Sequence, residues 1–136
     1  MGRRRRAREF ALQVLFQLDL TGGAPGEVLQ QFWSRQDAEP DVREFAERLV
    51  HGVVDGRAQI DARIVEAAEH WRIERMGVVD RNVLRIAVYE LGSADGTPEA
   101  VVIDESIEIA KRFGGEGSGG FINGVLDSIR ASGHSL

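Results

Sequence analysis

Apolar residues recur three and four positions apart along nearly the whole chain, the spacing that gathers side chains on one face of an α-helix. Ala7, Phe10, Ala11, Val14, Leu15 and Leu18 form the first such face. Thr21-Gly22-Gly23 stops it, because glycine takes up the left-handed geometry of a helix C-cap at little cost. Val28, Leu29, Phe32 and Trp33 predict a second, short helix between Pro25 and Pro40. Asp41 and Glu44 resemble a capping box opening a third, whose inward face is Phe45, Ala46, Leu49, Val50, Val53 and Val54. After a break at Asp55-Gly56, Ile60, Ile64, Val65, Ala68 and Trp71 form a fourth face.

Beyond Met76-Gly77, the run Val79, Val83, Leu84, Ile86, Ala87, Val88 and Leu91 is the most hydrophobic and is expected at the centre. Thr97-Pro98 reads as an N-cap followed by a first-turn proline, opening a sixth helix with Val101, Val102, Ile103, Ile107, Ala110 and Phe113 inward. The glycine-rich stretch 114–120 leads to a last helix carrying Phe121, Ile122, Val125, Leu126 and Ile129. Three consecutive β-branched residues within Glu99 to Asp104 suit a strand, but the periodicity continuing to Phe113 favours helix. The expectation is an all-α domain of about seven helices. A chain of 136 residues fits one domain, 1–136, with 1–6 as a flexible arginine-rich arm and 131–136 as a frayed tail.

Charge is distributed unevenly over this scaffold. Five of the first eight residues are arginine (Arg3, Arg4, Arg5, Arg6 and Arg8), yet the chain carries 17 basic against 22 acidic residues, a net −5. Without those five the balance is 12 to 22, or −10. A compact cationic segment on an anionic body suits a polyanion, nucleic acid first, whereas a merely solubilising tail is the bland alternative. No apolar run approaches the roughly 20 residues of a membrane span. The absence of cysteine removes disulfides, thiolate metal sites and thiol nucleophiles, and suits a cytoplasmic location.

Chemistry is harder to find. Residues 115–120 match the dinucleotide fingerprint G-x-G-x-x-G, but that motif needs a preceding strand and a βαβ unit, and here a helix precedes it. A turn is the simpler reading, with backbone N–H groups at the next helix start available to a phosphate. His51, His70 and His134 lie on separate segments without metal-ligand spacing and read as surface or packing residues. Asp104 and Glu108, four apart, read as like charges on a solvated face. Nothing assembles a catalytic set, a metal site or a cofactor site. Trp33, Trp71 and Tyr89 fall at or near apolar positions, where core packing is favoured over base stacking. Phe121, beside the glycines, is expected to be incompletely packed, and Gly124 suggests a close approach by another helix or by a ligand's backbone. Asp80 and Arg81 read as a dipole-matched pair or as part of a partner surface.

Four stretches resemble one family. Arg4-Arg5-Arg6-Ala7-Arg8-Glu9-Phe10-Ala11-Leu12-Gln13 is similar to the N-terminal motif of the NusB family of bacterial transcription antitermination factors, and Val79 to Leu91 (VDRNVLRIAVYEL) to its central helix. The segment from Pro98 through VIDESIEIAKRFG, ending at Gly114, and then FINGVLD from Phe121 to Asp127, match its C-terminal signature. The blocks keep family order and spacing over the whole chain.

The resemblance implies two packed helical subdomains, single-stranded boxA RNA as ligand, the ribosomal protein NusE as partner, and loading onto RNA polymerase in antitermination complexes, notably on ribosomal RNA operons. It implies no enzymatic activity. By motif position it assigns RNA contact to Arg4, Arg5, Arg6 and Arg8 and to Gly117, Ser118 and Phe121, and NusE contact to Asp80. One departure bears on this. Many members carry a basic residue just before the phenylalanine of the last motif, where this chain has Gly120, and Gly117 stands where an acidic residue is frequent. The alternative is a protein-interaction adaptor that binds NusE with little direct RNA affinity. A homodimer through an apolar helix face stays open.

Overall fold

The computed structural model describes residues 2–69 and 71–133, so His70 and His134 lie outside the described residues. Seven α-helices follow one another: α1 (Arg3–Thr21), α2 (Pro25–Arg35), α3 (Pro40–Asp55), α4 (Arg57–Ala67), α5 (Val78–Leu91), α6 (Glu99–Phe113) and α7 (Ser118–Ala131). A single 3-10 turn, Ile73–Arg75, stands between α4 and α5, and no strand occurs among the described residues. Helices α1, α2 and α3 pack together, as do α4 to α7. Helix α5 belongs to both groups, because it also lies against α1 and α3. The fold is all-α, two helical subdomains sharing one core.

That core contains Leu49, Ile60, Ile64, Leu84, Ile122, Leu126 and Ile129, all fully buried. Burying such a side chain contributes about 1.5–3 kcal/mol, so the shared core dominates the fold's stability. Phe10, Phe32 and Trp33 meet edge to face with centroids 5.0–5.8 Å apart, fastening α2 to α1. Between α3 and α5 the Tyr89 ring lies directly against the backbone at Gly52, where a Cβ would collide with it. No helix among the described residues is long and apolar enough to cross a membrane.

Several local expectations change. Arg3–Arg6 are not a flexible arm but the first turns of α1. Arginine is a good helix former, and each of these side chains folds back onto a carboxylate. The capping box at Asp41 is not formed: Glu39 is the N-cap of α3, Pro40 opens the helix, and the Asp41 carboxylate accepts from Arg3 instead. Helix α6 starts one residue later than expected, at Glu99, with Pro98 as its N-cap. Val101 and Phe113, placed inward by periodicity, are exposed at the two ends of α6. Trp71 is not in the core; it is 53% exposed, because α4 ends at Ala67 and Glu69 takes the left-handed φ of 47° that turns the chain outward.

Charged groups also enter the interior. Asp19 accepts from Arg81 (2.7 Å), Asn82 (3.0 Å) and Arg85 (3.0 Å), while Arg85 also forks onto Asp61 at 2.8 and 3.1 Å. This network joins the C-terminal half of α1 to α4 and α5. Burial alone would raise the Asp19 carboxyl, but the Arg81 and Asn82 hydrogen bonds and the Arg85 and Arg81 charges outweigh it and hold it at about 2.

Candidate nucleic-acid interface

Helical geometry spreads the N-terminal arginines around the start of α1, so each meets a different neighbour. Arg3 forks onto Asp41 at 2.9 and 3.0 Å, and Arg5 onto Glu105 at 2.8 and 2.6 Å. Arg4 reaches Asp95 at 3.5 Å and Arg6 reaches Glu39 at 3.4 Å. The hydrogen bond from Arg3 holds the Asp41 carboxyl below its ordinary range, and that from Arg5 does the same for Glu105. Burial pushes the Asp95 carboxyl up, but the Thr97 amide and the charges of Arg4 and Arg48 overcome this and leave it lowered.

Arg8 is different. It is 3% exposed and donates Nε and Nη2 to Glu90 at 2.7 and 2.9 Å. Its guanidinium joins α1 to α5 and, unlike those of Arg3–Arg6, is not presented at the surface in this conformation. The guanidinium groups at the surface are those of Arg3 and Arg4, with Arg5 and Arg6 partly exposed. The Arg4 guanidinium lies 3.9 Å over the Phe45 ring and that of Arg48 lies 5.2 Å from it. With Arg3, these residues line an open cavity of about 330 Å³. Sequence reading missed Arg48; the signal was its i+3 spacing from Phe45, which places it at the rim of α3's buried face.

The second cluster sits at the start of α7. Gly117 is its N-cap with φ 87°, a conformation that side chains other than glycine's rarely adopt, and no side chain caps the helix. The last three residues of the glycine-rich stretch are helix: Ser118 and Gly119 are buried inside its first turn, and Gly120 faces open space. Gly119 lies against the Lys111 stem of α6, where a Cβ would sit 3.0 Å from it. Gly124 meets nothing within 4 Å, so the expected close approach by another helix is not present among the described residues. Since a helix precedes the glycines, the dinucleotide reading finds no βαβ unit.

Phe121 is half-buried, its ring 5.9 Å from that of the exposed Trp71 at an interplanar angle of 65°. Asp80, in the first turn of α5, lines the same cavity as Gly117, Ser118 and Phe121. Its Oδ1 is buried and accepts no hydrogen bond among the described residues. The structure thus brings Asp80 next to the corner at Gly117–Phe121. It does not bring the N-terminal arginines there: Glu105, the partner of Arg5, and Gly114 are nine residues apart along α6 and the turn that ends it, or roughly 13 Å.

A family model described as the NusB family matches residues 5–131. The chain is 50% identical to the transcription antitermination protein NusB of Koribacter versatilis over 94% of this chain and 88% of that protein. It superimposes on the NusB of T. maritima with a TM-score of 0.87 at 39% identity, covering 96% of this chain and 92% of that one. A crystal structure of antitermination factors NusB and NusE in complex with dsRNA matches with a TM-score of 0.87 at 32% identity, over 97% of this chain and 98% of that one. The chain belongs to the NusB family of transcription antitermination proteins.

Proposed function

We propose that this protein binds single-stranded boxA-type RNA together with NusE, and that the pair joins RNA polymerase in antitermination complexes on ribosomal RNA operons. It acts in the cytoplasm by binding, with no chemical step. The observation that carries this reading is the set of guanidinium groups at the start of α1, of which Arg3, Arg4 and Arg6 form ion pairs open to solvent. Exposed pairs of that kind are worth about 0–1 kcal/mol each, so a phosphate can take the place of the carboxylate at little cost. Phosphate contacts position the strand, and the Gly117–Phe121 corner engages it further along.

Asp80 supplies the NusE contact in this reading. Its buried, unpartnered Oδ1 supports it, because a buried acceptor without a donor costs stability until a partner provides one. A second reading is favoured by one specific observation: Arg3, Arg4, Arg5 and Arg6 each already have a carboxylate within the chain. On that reading the protein is an adaptor for NusE whose cations are spent internally. Titrating fluorescein-labelled boxA RNA with the protein, alone and with NusE, separates the two. Saturable binding in either titration supports the RNA reading, and none in both supports the adaptor.

A further inference from the structure

We infer that Trp71, with Arg72 and Arg75, forms a nucleobase-stacking subsite that continues the RNA path beyond Phe121. The inference rests on the RNA-binding reading above and extends it to residues that neither the charge pattern nor the family motifs single out. A tryptophan half open to water at the surface of a small helical protein is unusual, because its large apolar face is ordinarily buried or covered by a partner. Trp71 is 53% exposed and touches Phe121 edge to face, so one broad aromatic face remains available.

The segment is also held to present it. Glu69 adopts φ 47°, a left-handed conformation for a residue that is not glycine. The Trp71 amide donates to the Ala68 carbonyl at 3.3 Å, tightening the turn. Such a backbone persists where the surrounding structure enforces it.

The chemistry of the neighbours selects the occupant. Arg72 and Arg75 are exposed, flank Trp71 along an open cavity, and show no side-chain ion pair among the described residues. In this they differ from Arg3–Arg6, every one of which has a carboxylate partner. Glu69 lines this cavity, and Glu116 and Asp80 line the adjoining one, so the surface is not uniformly basic. An aromatic face beside cations with unspent hydrogen bonds suits a single-stranded nucleic acid, whose unpaired base stacks on the ring while its phosphates meet the guanidinium groups.

Fluorescence anisotropy of a fluorescein-labelled single-stranded boxA RNA, titrated with the full chain in the presence of NusE, tests this. Trp71→Ala should weaken binding by on the order of tenfold, the effect of losing one base–aromatic stack, whereas Trp71→Phe should stay within a few-fold of the parent. The Arg72→Ala/Arg75→Ala double variant should weaken binding and flatten its salt dependence. RNA should also quench Trp71 emission in the unlabelled complex, a signal that vanishes in Trp71→Phe while buried Trp33 stays silent. Unchanged affinity in Trp71→Ala, with loss in Arg4→Ala/Arg6→Ala, overturns the inference and leaves the RNA reading standing. Weakened NusE binding by Trp71→Ala, with RNA affinity intact, also overturns it by making the surface a protein contact. No RNA binding by the parent protein overturns the reading beneath it.

Discussion

Arg8 and Glu90 are joined by two hydrogen bonds of 2.7 and 2.9 Å, with side chains 4% and 1% exposed. The pair links the helix that starts with the basic cluster to the helix at the centre of the fold. Removing one partner of a buried pair leaves an uncompensated charge, a loss of about 3–5 kcal/mol. Arg8→Ala should therefore lower the denaturant midpoint strongly. RNA binding by the fraction that remains folded should be weakened less than by Arg4→Ala/Arg6→Ala. Urea unfolding followed by circular dichroism, beside anisotropy titrations, checks both halves.

Acid should loosen the Asp19 network. The Asp19 carboxyl sits at about 2 when folded against an ordinary aspartate value near 4, so ionised Asp19 favours the native state. The sign follows from the depressed value: the contribution is complete above about pH 4 and is lost as pH falls towards 2. Its size is on the order of 2 kcal/mol. Asp19→Asn should be less stable than the parent at pH 7, and the difference should shrink by that amount between pH 5 and 2. A constant difference across that range contradicts the assignment.

Gly52→Ala should destabilise by about 1–3 kcal/mol, because its Cβ would occupy space held by the Tyr89 ring. Adding Tyr89→Ala should recover part of the loss attributable to the collision, giving a favourable coupling in the double-mutant cycle. Independent, additive losses would mean that α3 and α5 do not meet at this point.

Glu105→Gln should raise RNA affinity a few-fold at low salt. The fork from Arg5 to Glu105 competes with any phosphate for the same donors, and neutralising the carboxylate weakens that competitor. Under the adaptor reading the substitution leaves RNA binding as absent as before. Isothermal titration calorimetry with boxA RNA and NusE distinguishes the outcomes.

Helical periodicity made the fold readable, since a 3.6-residue repeat of apolar residues runs through all seven helices. It failed at Trp71, Val101 and Phe113, each at or beyond a helix end where the face no longer lies against a neighbour. Charge was read by position and not by pairing, so Arg8 looked like its neighbours although it is the buried one of the five. The ion pairs of Arg4 and Arg5 bridge 91 and 100 residues, separations at which local pattern carries no information. Asp80 and Phe121 could be named from motif positions, but that they share a cavity with Trp71 depends on how α5 and α7 pack.

The salt dependence of RNA affinity tests the central claim most directly. With NusE present, the slope of log K against log salt should be compared between the parent and Arg4→Ala/Arg5→Ala/Arg6→Ala. With Arg8 withdrawn into the core, these three arginines account for about three phosphate contacts, so removing them should flatten the slope by about 2. An unchanged slope in that variant would contradict the claim that the start of α1 holds the RNA backbone.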